Sequence, residues 1–322
     1  MKLVLWGAGG TLNRVIDDIN REIHSIEYLI DSDRAKSGNS KWGIPIKHYK
    51  DVEIQYVDAI VITTNFYKEV LETIKAEFPE IRIPVFIDTD HFLAYEYVNI
   101  THKEIAANPL YQILEKNHFQ YETDKRLQYL ETYDRYFSKY RGSNVTFMEI
   151  GVYQGGSLKL WKDYFGDKSK IIGIDINAEC KKYKEDQIEI EIGSQESEFF
   201  WEYIKRKYPH IDIVLDDGGH TMNQQISTFT ELFPHLQQNG IYMCEDVFTS
   251  YWAKWGGAWK NQSTFVEYAK NLVDHMNTKF APTYPFWITH SVDNIKSVCF
   301  HQGIIVMEKD NIYKKLDNTL LR

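Results

Sequence analysis

Between Phe147 and Asp246, short apolar runs alternate with polar or helix-like stretches: FMEIGVYQGGS, IIGIDIN, IEIGSQES, IDIVLDDGGH and GIYMCED. Each run closes on glycine or an acidic residue. Strands alternating with helices predict a parallel sheet covered on both faces. In such sheets ligands gather outside the carboxyl ends of the strands, where these Gly, Asp and Glu residues fall. A smaller copy of the pattern precedes it, with strands at Leu3–Trp6, Tyr28–Ile30, Ala59–Thr63 and Val85–Ile87 and helices at Leu12–Glu22 and Tyr67–Glu77. Between Phe92 and His118 the pattern turns polar and irregular, with a turn expected at Asn108-Pro109. Lys125–Lys139 reads as an aromatic-rich helix, and Ile295–Phe300 and Gly303–Glu308 as two closing strands. The expected organisation is an α/β domain over 1–92, a linker over 93–120 and a larger α/β domain over 121–322.

Bulk properties narrow the function. A net charge of -9 argues against nucleic-acid binding, which needs clustered Lys and Arg. No apolar run approaches the roughly 20 residues of a membrane span. The opening MKLVLWGAGG runs straight into a glycine turn and reads as a first strand, not a secretory signal. Cys180, Cys244 and Cys299 form no CxxC pair, which fits a reducing, cytoplasmic setting. Aromatic residues make up 15% of the chain, so rings are available for stacking on sugars, for the core, or for a homo-oligomer contact.

In the first half, Trp6-Gly7-Ala8-Gly9-Gly10 follows a strand and opens a helix, and Asp31 ends the next strand. This resembles a dinucleotide fingerprint, in which backbone approaches a pyrophosphate at a helix N-terminus. Leu12 stands where the third glycine would be. The half also resembles the small Rossmann-like domain at the front of bacterial sugar-modifying enzymes, such as the acyltransferases of glycan assembly. That resemblance implies either a nucleotide-sugar site or a structural, oligomerising unit.

In the second half, Glu149-Ile150-Gly151-Val152-Tyr153-Gln154-Gly155-Gly156-Ser157 follows the first strand, and Asp175 ends the second. Bare backbone at Gly151 and Gly155 admits a ligand, and an acid at the second strand end can accept from both hydroxyls of a ribose. With Gly193-Ser194-Gln195 after the third strand, the pattern resembles the class I S-adenosylmethionine (SAM) methyltransferases. The resemblance implies a mostly parallel sheet closed by an antiparallel hairpin. It places Glu149, Gly151, Gly155, Ser157 and Asp175 at the cofactor, Ser194 and Gln195 beside its adenine, and Asp216 at its amino group.

The fourth and fifth strands end in Asp216-Asp217-Gly218-Gly219-His220 and Glu245-Asp246. In the sheet that the methyltransferase resemblance implies, these two strands are neighbours, about 5 Å apart, so Asp217, Glu245 and Asp246 are expected to converge. Carboxylates that close repel unless a cation neutralises them, and all-oxygen ligation favours Mg²⁺. Such an ion would favour the alkoxide of a bound hydroxyl, with His220 as general base. The run IDIVLDDGGHTMNQQISTFTELFPHLQQNGIYMCEDVFTSYW resembles the macrolide-sugar O-methyltransferases of the mycinamicin and tylosin type, which include Mg²⁺-dependent SAM enzymes. The resemblance implies the same metal ligands and the same base. It extends to the lead-in ETDKRLQYLETYDRYFSKYRG, where it brings Thr123 and Lys125 to the cofactor. The different first half points to a nucleotide-sugar or glycan acceptor of a capsule or lipopolysaccharide pathway. Two alternatives stay open: a metal-independent or non-sugar O-methyltransferase, and a noncatalytic scaffold binding SAM or a nucleotide-sugar. The aromatic run Thr249–Lys260, around Gly256-Gly257, reads either as a hinged lid or as an oligomer contact.

Overall fold

Every apolar run singled out above is a strand in the computed structural model, which describes residues 1–96, 103–117, 121, 123–277 and 294–309. The chain divides into two units. One comprises Met1–Glu122 with Arg126–Glu131, the other Thr123–Lys125 with Thr132–Arg322.

The first unit contains β1 (Lys2–Trp6), α1 (Leu12–Val15), β2 (Ser25–Asp31), β3 (Ser40–Lys41), β4 (Ile44–His48), β5 (Ala59–Ile62), α2 (Tyr67–Glu77) and β6 (Val85–Phe86). They build a sheet of order β3-β4-β2-β1-β5-β6, parallel except at the β3–β4 hairpin. Val4, Trp6, Ile30, Ile60 and Ile62 meet Val70 and Ile74 of α2 in its core. The helix expected over Leu12–Glu22 stops at Val15, ahead of the polar run Asp17, Asp18 and Asn20, whose side chains compete with the helical backbone. The expected irregular linker is helical where described: α3 (Thr89–Glu96), α4 (Lys103–Ala106) and α5 (Pro109–Lys116). Asn108 caps α5 by accepting from Leu110 N–H, so Asn-Pro starts a helix. Residues 97–102 and 118–120 of that linker lie outside the described residues.

The second unit continues with α6 (Leu130–Phe137, begun in the first unit), β7 (Thr146–Ile150), α7 (Gly156–Phe165), β8 (Lys170–Asp175), β9 (Ile188–Ile192), α8 (Glu198–Lys207), β10 (Ile213–Asp216), α9 (Met222–Leu232), β11 (Ile241–Cys244), α10 (Phe265–Asn277), β12 (Ile295–His301) and β13 (Ile304–Lys309). Its sheet runs β12-β13-β11-β10-β7-β8-β9, with β7 to β11 parallel and β13 antiparallel to both neighbours. β10 and β11 are buried along their whole length, as expected of central parallel strands covered on both faces. The strand order reverses between β7 and β10. That switch point opens a crevice at the carboxyl ends, where ligands of such sheets bind.

Candidate active site

Gly151, just after β7, has φ +96° and touches the β10 loop. A Cβ there would fall within 2.0 Å of the Asp217 carbonyl oxygen. Only glycine lets the two loops close the crevice floor together. Asp175 pins the glycine loop from the next strand. Its Oδ2 accepts from Val152 N–H at 2.9 Å and Tyr153 N–H at 3.1 Å, and its Oδ1 accepts from Asn177 N–H at 2.8 Å. A carboxylate has about four acceptor positions; backbone N–H groups take three of them on Asp175, and the Cys180 thiol competes for the remaining one. Asp31 does the same in the first unit, accepting from Ala8 N–H, Asp33 N–H and Lys36 Nζ.

Two residues expected at the cofactor face inward instead. Glu149 is fully buried, and its Oε2 accepts from Ser157 Oγ at 2.7 Å while its Oε1 accepts from Trp161 Nε1 at 3.1 Å. Ser157 is thereby committed too, and both act beneath the glycine loop. Gln195, expected beside the adenine, commits its side chain to protein partners. Its Nε2 donates to Thr228 Oγ1 at 3.0 Å and Asp216 Oδ1 at 3.3 Å, and its Oε1 accepts from Gly219 N–H at 2.9 Å. It therefore braces the β10 loop. Ser194, beside it, is half-buried and accepts from Glu196 N–H.

Asp216 is buried, and its Oδ2 accepts from Tyr242 Oη at 2.8 Å. Burial pushes its carboxyl up to about 6, against the opposing hydrogen bond from Tyr242. A buried carboxyl already bonded by Tyr242 and Gln195 serves as a post for the loop, which differs from the expected contact with a ligand amino group.

The next residues turn into the crevice. Asp217, His220 and Asp246 present ligand atoms that lie within 4.8 Å of one another. His220 Nε2 stands 3.8 Å from Asp217 Oδ1 and 4.0 Å from Asp246 Oδ2. These distances exceed hydrogen bonds and suit groups arranged around a shared ion or substrate atom. The buried Nδ1 of His220 has no hydrogen-bond partner among the described residues. His220 (φ 58°) and Asp246 (φ 52°) both adopt left-handed backbone, a costly conformation that concentrates at functional sites. Thr221 holds His220 in place by starting α9 with a capping box to Gln224, and Thr249 Oγ1 donates to the His220 carbonyl.

Glu245, expected among the metal ligands, is paired with Lys125 in this structure. Lys125 Nζ lies 2.9 Å from Glu245 Oε1, 2.6 Å from Asp217 Oδ2 and 3.0 Å from Glu149 Oε1, with its side chain 2% exposed. Burial disfavours this ammonium, but Asp217, Glu245 and Glu149 hold its pKa well above the ordinary value. Burial and the Asp217 charge push the Glu245 carboxyl well above its usual range, despite Lys125. Lys125, expected near the cofactor, is here the counter-charge of the acidic cluster. Thr123 sits two residues before it and accepts from Lys125 N–H at 3.4 Å.

The aromatic segment after Asp246 is built as a platform. Two 3₁₀ turns, Val247–Tyr251 and Ala253–Trp255, carry it. Gly257 packs on backbone, since a Cβ there would meet the Thr249 carbonyl oxygen at 2.2 Å, and its N–H donates to Trp252 O. Gly257 thus permits close packing, while Gly256, at φ +80°, ends the second 3₁₀ turn in left-handed backbone. Trp252 contacts Phe248 and Trp255, Tyr251 contacts Trp259, and Trp252 and Trp259 are exposed.

Known proteins bear on both units. Residues 1–84 match the C2185-like N-terminal family. Mycinamicin VI 2''-O-methyltransferase of Micromonospora griseorubida is 34% identical over 190 residues, covering 55% of this chain and 47% of that protein. Demethylmacrocin O-methyltransferase of Streptomyces fradiae is 37% identical over 161 residues, covering 47% and 40%. The chain thus spans about half the length of the curated relatives it matches. Among solved structures, the MycE methyltransferase of the mycinamycin biosynthetic pathway, in complex with Mg and SAH, superposes with a TM-score of 0.57 at 29% identity, over 63% of this chain and 54% of that one. Together with the strand order, this likeness shows that the second unit has the class I methyltransferase fold.

Proposed function

We propose that the second unit transfers the methyl group of SAM to a hydroxyl of a sugar-bearing acceptor with the help of Mg²⁺. The observation that carries this reading is the convergence of Asp217, His220 and Asp246 on the crevice whose floor is the glycine loop pinned by Asp175. The fold and the sugar O-methyltransferase relatives support it. Gly151, Gly155 and the remaining acceptor position of Asp175 would receive SAM, with Ser194 at the third-strand loop.

Asp217 and Asp246 fit a divalent cation, offering carboxylate oxygens on one side of the crevice beside a histidine that shares their space. Mg²⁺ bound there would supply positive charge that favours ionisation of a substrate hydroxyl. His220 accepts the hydroxyl proton at Nε2, flanked by carboxylates that stabilise the imidazolium so formed. The platform of Trp252, Trp255 and Trp259 offers ring faces to a pyranose and keeps water from the transferring methyl.

The finer reading is an acceptor sugar carried on a nucleotide, in a cytoplasmic capsule or lipopolysaccharide pathway, modified by a homo-oligomer. It is supported by the match of residues 1–84 to the C2185-like N-terminal family and by a glycine loop in that unit pinned by Asp31. No described helix is long and apolar enough to cross a membrane.

One observation favours a metal-independent version of the same transfer: Lys125 already places a positive charge among the carboxylates. Calorimetric titration with SAM, then of the SAM complex with a nucleotide-sugar panel with and without Mg²⁺, separates these readings. Micromolar SAM binding followed by Mg²⁺-dependent uptake of one nucleotide-sugar supports the proposal. Uptake indifferent to Mg²⁺ and to chelator selects the metal-independent version. Failure to bind SAM overturns both.

A further inference from the structure

We infer that Lys125 is an internal cation that competes with the divalent metal for Asp217 and Glu245, so that the metal gains Glu245 only when Lys125 releases it. The inference rests on the metal reading above. It comes from how the carboxylates are divided. Asp217 turns Oδ2 to Lys125 at 2.6 Å and Oδ1 towards His220 at 3.8 Å, so one carboxylate faces both the ammonium and the open ligand group. Glu245 presents Oε1 to Lys125 at 2.9 Å and lies outside the group formed by Asp217, His220 and Asp246.

Burial makes the competition strong. Lys125, Glu149 and Glu245 have side chains 0–3% exposed, so water cannot replace a lost partner. Removing one partner of a buried ion set leaves uncompensated charge. A divalent cation beside Asp217 and Glu245 can supply that compensation, whereas an ammonium fixed within 3 Å of both oxygens repels it. Lys125 is a positioning residue here. It keeps the acidic cluster assembled without metal and moderates the affinity of the metal that binds.

The test compares Mn²⁺ binding to the full chain by calorimetry and electron paramagnetic resonance, in the wild type, in Lys125→Met, and in Lys125→Met/Glu149→Gln. The double variant removes one charge of each sign, so the cluster keeps its net charge and is easier to fold. With a unit charge removed from about 3–4 Å in a poorly screened site, Lys125→Met should bind Mn²⁺ at least about tenfold tighter. The double variant should keep the tightening. Melting curves should show Lys125→Met losing stability without metal and regaining it with MgCl₂, while the wild type gains little. Equal or weaker Mn²⁺ affinity in the variants, with the wild type binding, would overturn the competition and leave the metal reading intact. Tightening in the single variant that vanishes in the double one would assign the effect to net charge and also overturn it. No Mn²⁺ binding to any form would overturn the metal reading and this inference together.

Discussion

Replacing Asp216 with Asn should make the stability difference between variant and wild type depend on pH in one direction. The wild-type carboxyl is fully buried and its pKa is raised from 3.8 to about 6, burial being the main cause. A shift of about 2 units corresponds to about 3 kcal/mol between the protonation states. Because the folded value lies above the unfolded one, the stabilisation is complete below pH 3.8 and is lost as pH rises through about 6. Asparagine cannot ionise and lacks this loss. It also loses an acceptor oxygen, leaving Tyr242 Oη or Gln195 Nε2 poorly paired at a pH-independent cost of about 1–3 kcal/mol. Asp216→Asn should therefore compare least well with wild type below about pH 4, where the acid is neutral in both states, and between pH 5 and pH 8 the difference should close by about 1–2 kcal/mol in the variant's favour. For a unit of this size the closing is about 3–6 °C in Tm. The assay is thermal unfolding at half-unit pH steps, followed by near-ultraviolet circular dichroism of the second unit's aromatic core. Parallel Tm curves for the two proteins would show that Asp216 is ionised in the fold throughout, and the burial argument would fail.

Four further outcomes test the rest of the site. Asp175→Ala should weaken SAM binding more than about tenfold, because it frees the glycine-loop amides as well as removing an acceptor; calorimetry with unchanged affinity would remove Asp175 from the cofactor site. His220→Ala should lower turnover about 10²–10⁴-fold with SAM affinity within twofold, and a matching fall in SAM affinity would show a binding role instead. Gly151→Ala forces a side chain into the Asp217 carbonyl at positive φ, so it should lower Tm and SAM affinity together, checked by melting with and without SAM. Trp252→Ala should raise the KM for the acceptor and leave the SAM affinity alone, and steady-state kinetics with an unchanged KM would exclude the platform from sugar contact.

Much of the frame was legible along the chain. The runs ending at Ile150, Asp175, Ile192, Asp216 and Cys244 are strands β7 to β11, and Tyr67–Glu77 is a helix with the expected ends. Period and punctuation are local properties, and burial on both faces reinforces them. Other elements escaped. The hairpin of β3 and β4 is announced only by Gly43 and the alternation of IPIKH, and β3 is two residues long. The first helix is shorter than its apolar positions predict, because those positions continue past the polar side chains that end it.

The sequence by itself determined which residue types stand at the carboxyl ends of the strands, and so the expectation that Asp217, Glu245 and Asp246 gather at one sheet edge beside His220. Only the tertiary structure decided how the charges are paired. Lys125 lies 92 residues before Asp217 and 120 before Glu245, and no spacing along the chain announces their meeting. The same holds for Glu149 bonding Ser157, Gln195 bracing the β10 loop and Gly257 packing against Thr249. Residue type limits what a side chain can do. Burial, which belongs to the whole fold, selects the partner, because a buried charge or amide must be satisfied by whatever group the packing brings within reach.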